Sequence, residues 1–189
     1  MGQNQFEEIK ALLGESDTYY LIGVDMDANY TYVNKHYEEV FRHIHGNLLG
    51  KHYAITMHED DLATCVRVAN LAFKHRDAVF PATIRKHDGL GGYIITRWDY
   101  KAMFDENDHP SGIFCIGHDI TELTKIAGEL DQIKIEHSHS VRSHVANLIG
   151  LGKLMQDTTR VEDISAIAKM IVHSTSALDD TIAKLYREN

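Results

Sequence analysis

Apolar residues in the C-terminal third of the chain recur at steps of three, four and their multiples: Ile126, Leu130, Ile133, Val141, Val145, Leu148 and Met155. That is the stripe of one helix face. It predicts a helix from Thr121 to about Gln156, about 36 residues or roughly 54 Å at 1.5 Å per residue. Asp157-Thr158-Thr159 makes a short connection, and Thr159 with Glu162 has capping-box spacing. Ile164, Ile167, Ile171, Ser174, Leu178, Ile182 and Leu185 then follow near-heptad steps, so a second helix is expected to pack back on the first. A two-helix hairpin has too little core to stand alone, and dimerisation into a four-helix bundle is the expected solution.

The N-terminal two thirds are patterned differently. Phe6, Ile9, Leu12 and Leu13 lie on one side of a short helix that stops near Gly14. Tyr19 to Met26 is β-branched and apolar, Asp27-Ala28-Asn29 offers turn chemistry, and Thr31-Tyr32-Val33 resumes extended structure, which reads as a hairpin. Between residues 35 and 73 the spacing becomes helical. Tyr37, Val40, Phe41 and Ile44 share a face, Gly46 to Gly50 breaks the run, and Asp60 to Phe73 makes a helix with an acidic start. Strands return at Val79 to Arg85, Tyr93 to Phe104 and Ile113 to His118, with turns at His87-Asp88-Gly89 and Asn107-Asp108-His109-Pro110. Two strands, a helical crossover and a three-strand meander predict an α+β domain with a five-stranded antiparallel sheet.

Composition narrows the function classes. At 189 residues, 43% hydrophobic and 25% charged, the chain suits two small globular units. A formal net charge of −9 argues against nucleic acid and anionic membranes as partners, since both need clustered Lys and Arg. Cys65 and Cys115 show neither CxxC spacing nor a preceding secretory signal, so both are expected to be core thiols in a reducing compartment. No apolar run approaches the roughly 18 to 20 residues that span a bilayer, and the expected location is the cytoplasm.

His139 draws the candidate chemistry. It lies off the apolar stripe, rotated about 200° from both His137 and Val141, so a helix that buries those two turns His139 to solvent. The run Ser138-His139-Ser140-Val141-Arg142-Ser143, followed by Val145 to Leu151, resembles the phosphoacceptor box of sensor histidine kinases. Upstream, the element order resembles the PAS fold over residues 19–121. Tyr32-Val33-Asn34 resembles its second-strand signature, His58-Glu59-Asp60-Asp61 its acidic helix start, Arg85-Lys86-His87-Asp88-Gly89 its hairpin, and Asp119-Ile120-Thr121 its closing triplet. Asp119 also precedes Glu122 by three, the spacing of a capping box, so Asp119, Thr121 and Glu122 are the expected joint between sheet and helix.

The resemblance implies a capping helix over 1–18, a PAS sensor domain over 19–121, and a signalling helix with a dimerising phosphoacceptor hairpin over 122–189. It further implies that His139 accepts a phosphoryl group and passes it to an aspartate of a response-regulator receiver domain, within a homodimer. Such chemistry needs a neutral ring nitrogen, which an ordinary imidazole supplies at neutral pH. Arg142, one turn on, is a candidate partner of the phosphoryl group. Ser143 keeps a small polar side chain where the family often places Thr or Asn.

Two positions depart from the family pattern. Ser140 stands where an acid usually follows the phosphoacceptor, and a serine cannot act as that base near neutral pH. His144 stands where a proline usually bends the helix. No Gly-rich phosphate loop or Asp-x-Gly-x-Gly string occurs, so an ATP-binding domain is expected to be missing and no autonomous kinase activity is expected. ATP and Mg would then enter through a kinase domain in cis or in trans, and no cofactor is assigned to this chain.

Two other readings stay open. One is a PAS sensor and dimerisation module without phosphotransfer. The other is metal or haem binding through His43 and His45 or His137 and His139, against which the i, i+2 spacing speaks if these segments are helical; no metal ligand is assigned. The sensor ligand is not specified by the sequence. Tyr20, Phe41, Phe80, Trp98 and Phe114 are expected to fill a core rather than line a cavity.

Overall fold

A computed structural model describes residues 3–187, with the side chains of residues 3, 4 and 184–187 outside the description. The first two and last two residues, which the expected terminal segments include, lie outside the described residues, as does the Leu185 side chain. The chain divides into two compact units, Met1–Thr124 and Lys125–Asn189.

The first unit is a five-stranded antiparallel sheet with helices. Its strands are β1 (Tyr20–Val24), β2 (Tyr30–Val33), β3 (Phe80–His87), β4 (Tyr93–Phe104) and β5 (Pro110–Asp119), in the order β2-β1-β5-β4-β3. Helices α1 (Gln3–Leu13), α2 (Lys35–His45) and α3 (Leu62–Lys74) accompany them, with two 3₁₀ turns at Tyr53–Thr56 and Glu59–Asp61 between α2 and α3. The acidic run expected to open a helix at Asp60 forms the second of those turns, and α3 begins two residues later.

One device makes all three hairpins. Asp25 Oδ1 accepts the N–H groups of Asp27 and Asn29, Asp88 Oδ1 those of Leu90 and Gly92, and Asp105 Oδ1 those of Asn107 and His109. Each aspartate thus satisfies backbone donors two and four residues on, which reverses the chain within a few residues and fixes strand register. The same bonds hold the Asp88 and Asp105 carboxyls below the usual carboxylate range, because they stabilise the charged form.

Asn34 ties the first hairpin to α2. Its side chain accepts from Tyr37 N as the helix N-cap and from Leu21 N of the neighbouring strand, and donates to Tyr19 O at 2.8 Å. A fully buried amide is tolerable only with its donors and acceptors occupied in this way.

The main core lies between one sheet face and α2, α3 and the 3₁₀ turns. Tyr37, Phe41, Val68 and Ala72 meet Ile84, Trp98, Ala102 and Cys115 there. The Trp98 indole lies against Gly117, its cross-strand partner, where an added Cβ would overlap Trp98 Cδ2. Backbone there must approach the ring directly, which only glycine permits. On the opposite face, Phe6 of α1 packs edge-on against Phe114 at 4.7 Å and Tyr32 at 5.8 Å, and Gly14 N donates to Lys10 O as that helix ends.

The second unit is a pair of long helices. Helix α4 spans Thr121–Asp157, its first turn belonging to the first unit, and α5 spans Val161–Arg187. The expected capping box at Thr159 and Glu162 does not form: Arg160 O accepts the Ile164 N–H, so α5 starts one residue beyond the expected cap. Burial also departs from the stripe. Among this unit's described side chains only Leu151, Ile167 and Ser174 are buried, whereas Ile126, Leu130 and Ile133 stay 46–47% exposed. One neighbouring helix covers one strip, and the rest of the apolar face is uncovered.

Candidate functional site

The joint expected at Asp119 is built, with a different geometry. Asp119 Oδ1 accepts the Thr121 N–H at 2.7 Å rather than that of Glu122, and the first helical bond runs from Thr124 N to Ile120 O. Thr121 Oγ1 turns back to the sheet and accepts the Ile95 N–H at 2.8 Å, while Ile120 N donates to Ile95 O. Asp119 and Thr121 therefore pin the start of α4 to β4. Glu122 is exposed in the first turn, where its charge suits the helix dipole.

On α4, His139 is exposed while His137 and Val141 are half-buried. Arg142 and Ser143 follow His139 by three and four positions, which places them on its face, and both are exposed. Ser140 is half-buried, one step round the helix. His144, in the family's proline position, lies with its Nε2 3.5 Å from Thr181 Oγ1 of α5, and α4 continues through it without a break. One turn on, Asn147 Nδ2 donates to the buried Ser174 Oγ at 3.1 Å. Two polar rungs thus tie the hairpin together just beyond the His139 face.

A second candidate site sits inside the first unit, and sequence reasoning missed it. Lys86 of β3 is 2% exposed, its ammonium donating to Thr56 Oγ1 at 2.9 Å. Its Nζ lies 5.1 Å from the centre of Trp98, 5.4 Å from Tyr37 and 5.8 Å from Phe41, distances at which aromatic faces attract a cation. The Tyr30 hydroxyl lies 2.8 Å from that of Tyr37 and 2.9 Å from Thr56 Oγ1, so a hydroxyl cluster backs the ammonium. Burial lowers the Lys86 pKa from 10.5 to about 8 and raises that of Tyr30 to about 12. The signal was available in the alternation of β3, where Ala82, Ile84 and Lys86 share one face.

Lys86 lines a cavity of about 40 Å³ together with Met57, Cys65, Trp98, Tyr100 and Cys115. Of the five aromatics singled out in the sequence, Trp98 alone borders it; Tyr20, Phe41 and Phe114 are buried elsewhere and Phe80 is half-buried. Cys65 and Cys115 are buried free thiols, both pushed up from the ordinary thiol range by burial. Outside the cavity, Arg85 grips Asp61 through two side-chain bonds of 2.7 and 3.0 Å, with the Arg85 N–H as a third at 2.7 Å. The two motifs noted in sequence at residues 58–61 and 85–89 are thereby joined.

His137 and His139 sit on one helix, two positions apart, and among the described residues no three His, Cys, Asp or Glu side chains gather to hold a metal ion. Among the same residues, no helix is long and apolar enough to cross a membrane.

A family model described as the PAS fold matches residues 15–125. Among solved structures, the PAS domain of a protein from Colwellia psychrerythraea is 15% identical, with a TM-score of 0.51, over 63% of this chain and 97% of that one. A sensory box histidine kinase/response regulator from Burkholderia thailandensis E264 is 15% identical, with a TM-score of 0.50, over 70% of this chain and 96% of that one. At these identities the likeness shows the fold. No curated protein matches the chain.

Proposed function

The chain belongs to the PAS fold family over residues 15–125, and from that premise we propose that it works in two-component signalling, with the PAS unit as sensor and His139 as phosphoacceptor. The observation that carries this reading is the exposed His139 on α4 with Arg142 and Ser143 on its face. A ring nitrogen of His139 attacks a phosphorus presented by an ATP-bound kinase domain, in cis or in trans. The N–P bond forms as the P–O bond to ADP breaks, and the ring proton is released. Arg142 stands close enough along the helix to pair with the transferred group. An aspartate of a receiver domain then takes the phosphoryl group and returns the imidazole.

Dimerisation belongs to the same proposal. Ile126, Leu130 and Ile133 are exposed on one face of α4, an apolar strip that a second copy would cover in a four-helix bundle. Sedimentation should return the mass of two chains, and a monomer at micromolar concentration would remove the bundle. A stimulus reaching the PAS unit would pass along α4 from the Asp119 joint. Of the known structures it resembles, the Burkholderia protein is described as a sensory box histidine kinase/response regulator, which agrees with this setting.

The direct test combines the protein with an ATP-binding histidine kinase domain and labelled ATP. Acid-labile, base-stable label that disappears in His139→Gln supports phosphotransfer. Absence of label with a panel of kinase domains overturns it and leaves a second reading, a PAS dimerisation module that signals without phosphotransfer. Ser140 favours that second reading, because the position beside His139 holds no carboxylate to take the proton.

A further inference from the structure

One buried polar atom in the first unit has nothing to bond. His45 stands at the end of α2, half-buried, and its Nε2 is shut off from water and without a hydrogen-bond partner, alone in this among the described side chains. Buried nitrogens are ordinarily paired, because an unmade bond costs the desolvation of the group. The neutral ring limits that cost by carrying its proton on Nδ1 and leaving Nε2 as a bare lone pair. The protonated ring cannot, since both nitrogens are then donors. Charge sharpens the contrast. The groups that face His45 are cations or become so: His87 and Lys86 of β3, Lys51 of the loop that follows α2, and His43 on its own helix. The His87 ring lies 6.3 Å away, and Lys51 Nζ donates to the His45 carbonyl at 2.8 Å. The histidines that form ion pairs among the described residues are His58 and His109, and Asp88, next to His87, turns its Oδ1 to the N–H groups of Leu90 and Gly92. The last carbonyls of α2 favour a cation there. Burial first, and then the four facing groups, outweigh them and hold the His45 pKa below its ordinary value.

We propose that His45 is a proton-sensitive latch: its neutral ring keeps the last turn of α2 docked on the β3–β4 hairpin, and its protonation expels the ring to solvent and frees that turn. The packing supplies both halves. Ile44, the residue before, lies over Gly89 of that hairpin, so close that an added Cβ would overlap its side chain, and displacing His45 disturbs this contact. Beyond it Gly46 ends the helix at a φ of 67°, and its N–H donates to Arg42 O at 2.7 Å, a bond that opening breaks. With the turn released the ring meets water and titrates at its ordinary value, whereas docked it titrates lower. The open form takes up more protons between those two values, so the balance moves toward it as pH falls through that interval. A proton is then an input to the sensor unit, and one that needs nothing from His139.

The full chain is followed by NMR from about pH 7.5 to about pH 4.5, across the range in which imidazoles titrate. The His45 ring signal is the one missing in His45→Phe. Its midpoint is expected below that of an ordinary imidazole. The Gly46 amide, read by hydrogen exchange against its intrinsic rate at each pH, should lose protection by up to about tenfold per pH unit across the interval, while the sheet amides keep theirs. His45→Phe has no proton to gain and should keep Gly46 protected throughout. Should that variant not fold, His45→Gln supplies the same assignment and the same comparison. A His45 midpoint at or above the ordinary value overturns the latch. So does Gly46 protection that is flat with pH in the wild type, or that falls equally in the variant.

Discussion

Replacing Lys86 with methionine should make the protein more stable at neutral pH. Methionine keeps an unbranched chain of similar length and drops the charge. In the unfolded chain the lysine holds its proton to about pH 10.5, and in the folded protein only to about pH 8. At about 1.4 kcal/mol per pH unit, that interval corresponds to about 3 kcal/mol by which burial disfavours the charged form. The Thr56 bond and the aromatic faces act in the charged state and offset part of that cost. Lys86→Met should therefore gain about 2–3 kcal/mol at pH 7, within the range seen when buried charges give way to apolar isosteres.

The pH dependence has a definite sign. Below about pH 8 both states are protonated and the penalty is constant. Between about 8 and 10.5 the unfolded state binds more protons than the folded one, so wild-type stability from this group rises with pH. The gap between variant and wild type should then close toward zero near pH 10.5. Urea denaturation followed by Trp98 emission reads the PAS unit alone, because the second unit holds no tryptophan. The difference between the two proteins at each pH cancels the tyrosines and other groups they share. A variant less stable than wild type at pH 7, or a gap that does not change with pH, would refute the assignment of Lys86 as an uncompensated buried cation.

Three further outcomes follow from the packing. Asp61→Asn breaks the three-bond grip of Arg85 and should lower stability by about 1–3 kcal/mol at pH 7. Because Arg85 holds the Asp61 carboxyl below its usual range, that contribution is complete above the ordinary carboxylate pKa and fades as pH falls through the lower folded value, so acid denaturation curves of the two proteins should converge. Gly117→Ala drives a methyl into the Trp98 ring and should cost about 1–3 kcal/mol, with a shift in Trp98 emission; an unchanged spectrum and Tm would place the ring elsewhere. Cys65 and Cys115, buried and held as thiols, should resist Ellman's reagent in the native state and react as two thiols per chain on unfolding.

Strand alternation and the turn residues at 27–29, 87–89 and 107–110 made the sheet legible in the sequence, although of the aspartates whose side chains hold the turns, Asp25, Asp88 and Asp105, only Asp88 was among them. Helix starts were legible only to within a residue or two. Asp119 and Thr159 both have the right spacing, yet Asp119 meets the Thr121 N–H, and at α5 it is Arg160 O that takes the first helical bond. Lys86 stayed hidden for a different reason. Its charge assigns it to solvent by residue type, while its place in the alternation of β3 assigns it to the core, and the aromatics that make burial tolerable come from α2 and β4. The exposure of His139 follows from helical geometry alone. Which neighbour covers the stripe on α4 does not, since periodicity defines a face and says nothing of its partner.

The two units break the ordinary burial rule in opposite senses. In the PAS unit a finished core encloses a cation that it does not neutralise. In the helical unit an apolar face is left without enough neighbours, and polar rungs at His144–Thr181 and Asn147–Ser174 hold what packing alone does not. Each departure costs free energy in the isolated chain, and the proposed second copy along α4 and α5 would relieve the second. Anything that binds the folded form alone stabilises it by mass action, so under that proposal the apparent stability of the helical unit should depend on protein concentration. The two units are followed separately, because Trp98 emission reports one transition and helical dichroism near 222 nm is dominated by the other. If the Trp98 transition shifts with protein concentration as strongly as the helical one, the units unfold together and α4 couples them. If it does not shift, they respond independently, and a signal from the PAS unit would have to reach His139 without changing the stability of the hairpin.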